Sequence, residues 1–303
     1  MNILIVGAGV IGTVYGAHLG GAGHTITVLE HPPRTDHIAR NGLTARDVTD
    51  GHRTSADATV VTVADADQYD LVLVAVRSDQ LPAACDLLHT LTGRPLVLLF
   101  GNNPAGRDAI PVGIAGDIRL GFPGVGGVIR DDVADYVQIR QQPTALQTGD
   151  DPRLDELART LRGCGFAVQR VADMDGWLTY HAAFVACVAA ALYRCGTVPA
   201  RLADDRRTLA LMCAAITEAF TALRRSGVGG LPRNLKILHH PLLRPIAVRY
   251  WAKVMRGPTG ELYFGAHSRH AQPEMRGIAD QISQRLTDTT GCGHLHQLLE
   301  PVS

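Results

Sequence analysis

The chain has 303 residues, 46% hydrophobic and 19% charged, with 32 Gly and 16 Pro, the composition of a globular protein with two domains or one large one. Long disorder and collagen are excluded. Its 29 basic and 29 acidic side chains cancel, so no general basic field gathers phosphates, and nucleic acid is not an expected partner.

The sequence opens Met1-Asn2-Ile3-Leu4 with no charged leader region, from which a cytoplasmic protein is expected. Four apolar bursts follow, at 3–6, 26–29, 71–76 and 96–100, each suited to a strand buried on both faces. Residues 10–19 and 79–91 between them read as helices, and this alternation predicts a doubly wound parallel sheet. After Gly101 the pattern loosens. Residues 118–120, 136–139, 145–148 and 166–170 read as strands and 154–162 as a helix, closing a first domain at 1–172. From Asp173 the strand signal fades. Residues 174–195, 209–225 and 275–286 read as helices, so 173–303 is expected to be a helical domain. Its apolar run from Ala182 to Leu192 has eleven residues, against the roughly 20 that cross a bilayer, and reads as a core helix rather than a membrane span. Six cysteines without CxxC spacing are expected to be free thiols.

Gly7-Ala8-Gly9-Val10-Ile11-Gly12 follows the first strand and opens the first helix. In that context the glycines have separate tasks: Gly7 permits the tight turn, Gly9 lets backbone approach a pyrophosphate, and Gly12 lets helix and strand pack closely. The unpaired amides of the helix start, at Val10 and Ile11, attract the anion. Glu30 ends the second strand, 23 positions after Gly7, where an acid binds the adenosine ribose hydroxyls and repels a 2′-phosphate. His31, Arg34 and Arg77 form a cationic set that would welcome that phosphate. NAD(H) and NADP(H) are both open, with NAD(H) favoured by Glu30.

With these features the whole chain resembles the ketopantoate reductase family, a group of NADP-dependent reductases. The resemblance rests on Gly7 to Gly12, Gly23-His24, Asn41-Gly42-Leu43, Leu71 to Arg77, Leu98-Leu99-Phe100-Gly101-Asn102, Trp177-Leu178 and Glu261. It implies an α/β fold with an N-terminal Rossmann-type domain and an all-helical C-terminal domain, and a cleft between them where hydride reaches a 2-keto acid. It also implies that Asn102 lies near nicotinamide and substrate, that Glu261 helps bind substrate, and that Arg77 replaces a cofactor-side lysine. The family's catalytic lysine falls on Thr179, and two further polar positions of the family fall on Ala183 and Cys187.

Only two lysines exist, Lys236 and Lys253, against 27 arginines, and neither is near position 179 in sequence; both read as solvated. Carbonyl reduction still needs a group that protonates the developing alkoxide. His181, with an ordinary pKa suited to neutral pH, and His267 are the candidates, and Tyr180 could serve through its hydroxyl. No metal site is expected; Cys292-Gly293-His294-Leu295-His296 reads as a tail. The glycine-rich stretch 121–127 reads as a flexible turn lining the cleft. The expected function is a nicotinamide-dependent reductase of a small carbonyl or C=N substrate less anionic than ketopantoate. The alternative is a non-redox protein that keeps fold and cofactor, as an isomerase, cyclase or sensor. A homodimer would form through the helical domain.

Overall fold

A computed structural model of the chain describes residues 1–30, 34–62, 69–89, 91, 93–110, 116–139, 141–286 and 290–300. Two compact units emerge. The first comprises Met1–Asn102 and Arg107–Met174, the second Asn103–Gly106 and Asp175–Ser303. The short segment 103–106 thus groups with the helical unit, a feature that a single cut at 172/173 does not contain.

The first unit holds β1 (Asn2–Val6), α1 (Val10–Gly21), β2 (Thr25–Leu29), α2 (Thr35–Asn41), β3 (Leu43–Asp47), β4 (Arg53–Ala56), β5 (Thr59–Val61), β6 (Leu71–Val74) and α3 (Leu81–Leu88). It continues with β7 (Leu96–Phe100), β8 (Asp117–Phe122), β9 (Val125–Arg130), β10 (Val133–Gln138), β11 (Thr144–Gln147), α4 (Pro152–Gly163) and β12 (Val168–Val171). Eight strands form one sheet in the order β12-β11-β8-β7-β6-β1-β2-β5, parallel throughout except for the β8/β11 pair. The continuous apolar runs of β6 and β7 are buried along their whole length, as a strand covered on both faces must be. The chain leaves β1 toward β2 on one side and returns to β6 on the other, so the crevice at the carboxyl ends of β1 and β6 is the topological switch point, where ligands bind in such sheets.

A second sheet, in the order β4-β3-β10-β9, is where sequence and structure part. Residues 121–127 are not a flexible turn: Gly121 and Phe122 end β8, and Val125 to Gly127 begin β9. The glycines serve close approach, since a Cβ on Gly127 would stand 2.1 Å from the Asp135 carbonyl and one on Gly124 2.5 Å from the Thr144 amide. The expected helix 79–91 is a single 3-10 turn, Ser78–Gln80, followed by α3, with Pro82 in the helix's first turn.

Tyr15 of α1 anchors the first unit's core. Its ring stacks on Phe166 at 4.4 Å and meets Phe100 edge-on at 4.8 Å, while its buried hydroxyl pairs with Thr144 Oγ1 at 2.6 Å and accepts from the Gly124 amide. A buried tyrosine needs such partners for its polar end.

The second unit is helical: α5 (Met174–Arg194, its first residue from the first unit), α6 (Pro199–Asp204), α7 (Arg206–Arg225), α8 (Arg233–Leu238), α9 (Arg244–Arg256), a π-helical turn Gly260–Gly265, α10 (Ala266–His270), α11 (Gln272–Leu286) and α12 (Gly293–Leu299). The apolar stretch of α5 is 83% buried. Ala182, Ala183, Cys187 and Leu192 pack with Met212 and Ile216 of α7 and with Ile278 and Ile282 of α11. Asp205 caps α7 by accepting from the Arg207 and Thr208 amides, a contact of the kind worth about 1 kcal/mol. All six cysteines are free thiols.

Candidate functional site

The loop between β1 and α1 has a geometry that only its glycines allow. Gly7 has φ +88°, a left-handed conformation that side chains rarely adopt, and its amide donates to the Leu29 carbonyl at 3.1 Å. A Cβ on Gly12 would stand 2.0 Å from the Gly7 carbonyl, so helix and loop touch there. Gly9 is the opposite case: it is exposed, and a Cβ on it would have nothing within 4 Å. Gly9 is also the N-cap of α1, and among the described residues no side chain caps the helix. The first-turn amides, with half-buried Val10 and Ile11 beside them, therefore keep their donors for an anion. Open space before Gly9 and uncapped amides at the switch point fit the pyrophosphate of a dinucleotide.

Two side chains, Glu30 just after β2 and Arg34 at the start of α2, hold this loop. Glu30 Oε2 accepts from the Ala8 amide at 2.6 Å, and the Arg34 guanidinium donates to the Ala8 carbonyl. Arg34 also lies 3.3 Å from Asp132 Oδ1 and 3.5 Å from Thr13 Oγ1. Of the cationic set, Arg77 pairs with Asp79 at 3.1 Å, and His31 lies outside the described residues. Asn102 follows β7 at the same carboxyl edge of the sheet and is half-buried. The clamp on Ala8 was not legible in the sequence, although the hairpin that supplies Asp132 carried a signal in Asp131-Asp132 between two strand segments.

The polar candidates of the second unit divide by burial. Thr179 is 3% exposed, and its hydroxyl shares its proton between the carbonyls of Pro104, at 3.2 Å, and Asp175, at 3.0 Å. Ala183 and Cys187 continue that stripe into the core, where burial pushes the Cys187 thiol up. The Tyr180 hydroxyl is committed to the Val228 carbonyl at 3.0 Å. His181 corrects the expectation of an imidazole titrating near neutrality: burial, and secondarily the charge of His267, bring its pKa from 6.5 down to about 3. It is a neutral ring at pH 7.

His267 is half-exposed, with Nε2 3.7 Å from Oε2 of Glu274, a buried carboxylate in the first turn of α11. Glu274 was not among the residues singled out from sequence, because an acid in the third position of a helix reads as an ordinary first-turn residue. Glu261 sits in the π-helical turn and pairs with Arg269. Lys236 and Lys253 are exposed. His294 pairs with Glu218 of α7, which also accepts from the Leu295 amide at 3.0 Å. The segment read as a tail from Cys292 therefore forms the docked start of α12.

Residues 3–110 match the family described as Ketopantoate reductase PanE/ApbA. A 2-dehydropantoate 2-reductase of Listeria monocytogenes is 26% identical over 134 residues, a stretch spanning 44% of this chain and 45%, less than half, of that relative. Among solved structures, a PanE/ApbA family ketopantoate reductase from Ralstonia eutropha JMP134 superposes with a TM-score of 0.74 at 19% identity, covering 99% of this chain and 96% of that one. D-mandelate dehydrogenase in ternary complex with NADH and anilino(oxo)acetate gives 0.73 at 16% identity, with 99% and 97% covered. A dimeric ketopantoate reductase from Staphylococcus aureus gives 0.69 at 15%, with 99% and 96% covered. The part of the resemblance that lies within residues 3–110 is thus met independently by the match to the ketopantoate reductase PanE/ApbA family, and along nearly its whole length the chain has the fold of these solved structures.

Proposed function

We propose that this protein is an NAD(P)-dependent reductase acting on a small carbonyl or C=N substrate less anionic than ketopantoate, in a cleft expected between the two units. The observation that carries the reading is the pair of glycines at the loop, Gly12 packed to contact, which brings the helix start onto the loop, and Gly9 facing open space, where no packing calls for a glycine. The bound cofactor would supply the hydride. The chain's own residues do the rest: the amides of α1 hold the pyrophosphate, Glu30 faces the ribose, and Asn102 orients the reacting groups. With His181 neutral and buried, the proton for the developing alkoxide falls to His267, which Glu274 steadies.

The preference for a less anionic substrate rests on Thr179. Its short hydroxyl, spent on two backbone carbonyls, offers no cation to a carboxylate. The same observation favours a second reading, a non-redox protein that has kept the dinucleotide and lost hydride transfer. Mixing the protein and reduced cofactor with a panel of 2-keto acids, ketones and imines separates the two. Loss of the reduced-nicotinamide absorbance with one class supports the reductase; persistent absorbance across the panel despite tight cofactor binding supports the second reading. A dimer, as in the Staphylococcus aureus relative, belongs to the same proposal and is checked by sedimentation.

A further inference from the structure

β9 and β10 are joined by two residues, Asp131 and Asp132, with φ of 47° and 62°. Positive φ at both positions defines the tight hairpin turn whose twist suits the strands, and Asp is one of the few side chains that tolerate it. This turn belongs to the four-stranded sheet, yet its side chain reaches Arg34, which in turn holds the glycine loop that follows β1 of the eight-stranded one. Asp132 Oδ1 lies 3.3 Å from Arg34 Nε, its backbone carbonyl 3.3 Å from Arg34 Nη2, and its Oδ2 3.2 Å from His37 Nδ1. Arg34 Nη1 is turned the other way, onto the Ala8 carbonyl and toward the Thr13 hydroxyl.

The guanidinium is therefore engaged through all three nitrogens, with its side chain 18% exposed. An arginine just beyond the second strand is well placed to meet a 2′-phosphate and to overrule the carboxylate that ends the strand. Here reaching a phosphate would break the ion pair with Asp132 and release the carbonyl that shapes the loop. We propose that Asp132 is a specificity-determining residue: it pins Arg34 on the glycine loop, leaves Glu30 to decide what the ribose carries, and so makes NAD(H) the preferred cofactor. The inference rests on the dinucleotide reading above and adds the residue that sets the choice.

Calorimetric titration with NAD⁺ and NADP⁺, which needs no turnover, tests it. Asp132→Gly keeps the positive-φ turn and removes the carboxylate; Asp132→Asn, equally at home in that conformation, is the second variant should the first not fold. The native protein should prefer NAD⁺. Either variant should move the affinity ratio toward NADP⁺ by about ten-fold, the worth of one charge-assisted hydrogen bond, and adding Arg34→Gln should remove that gain. An unchanged ratio in a folded variant that still binds NAD⁺ overturns this inference and leaves the dinucleotide reading intact. So does a native protein that prefers NADP⁺, or Arg34→Gln alone selectively weakening NADP⁺. Native protein that binds neither dinucleotide overturns both.

Discussion

Trp177 and His181 stand one turn apart on α5 with their rings stacked, centroids 5.0 Å apart and planes 7° from parallel. Stacking and burial make His181 an aromatic plate rather than an acid. Nearby, His239 is held by Trp251 Nε1 at 3.4 Å and is also buried, which brings its pKa down to about 4.

Both histidines give stability a dependence on acid. Each takes up a proton near pH 6.5 when unfolded but, folded, only near 3 for His181 and 4 for His239. Between those values the unfolded chain holds more protons, so their contribution is complete above pH 6.5 and falls as pH drops. The slope reaches about 1.4 kcal/mol per pH unit for each. Urea midpoints measured from about pH 7.5 to 4.5 should fall less steeply in His181→Phe, which keeps a ring against Trp177. Equal slopes in variant and native protein would show that His181 titrates alike in both states.

Gly9 and Gly12 should separate binding from folding. Gly9→Val puts its side chain into open space, so its melting temperature should stay within about 2 °C of the native value while dinucleotide binding disappears. Gly12→Ala forces a Cβ to 2.0 Å from the Gly7 carbonyl and should cost more than about 2 kcal/mol. Differential scanning calorimetry and titration of both variants check the pair; retained affinity in Gly9→Val would contradict the site.

Restoring the family's cation should fail. Thr179→Lys would place an ammonium where the native side chain is 3% exposed and would remove both carbonyl contacts. We expect a loss of at least about 2 kcal/mol and no gain in ketopantoate reduction. A stable variant that turns over ketopantoate faster than native protein would show that position 179 has room and access for a cation.

Asp135 of β10 is fully buried and takes two bonds of 2.7 Å from the Arg46 guanidinium on β3. Removing the cation leaves a buried carboxylate whose remaining ion-pair partner among the described residues is Arg130, 3.8 Å away. Arg46→Ala should therefore lower stability by about 3–5 kcal/mol, read from urea unfolding at pH 7. A change below about 1 kcal/mol would mean that water reaches the carboxylate once the arginine is gone.

Where chemistry is local, the sequence carries it well. Gly7 to Gly12 and the runs 71–76 and 96–100 could be placed because a tight turn and a doubly buried strand each leave a mark within a few residues. β3 and β4 left none, since Leu-Thr-Ala-Arg-Asp and Arg-Thr-Ser-Ala alternate weakly, and although they pair with each other, β3 is held in its sheet by β10, far along the chain. The same limit hid the clamp on Ala8, assembled from positions 8, 30, 34 and 132. His181 is a different case. Its residue type suggested an acid, and only tertiary burial, invisible in the local string, turned it into a neutral ring.

The segment 103–106 has a consequence for the order of assembly. Pro104, whose carbonyl receives the Thr179 hydroxyl, leaves the ribosome 75 residues ahead of it, and Gly106 likewise precedes Asp175, which packs against it. A nascent chain that has finished its sheets still carries a four-residue strap with its docking helix unmade. Translation must run into α5 before that strap finds its seat, so a chain stopped between 172 and 174 has its sheets complete and the strap still undocked.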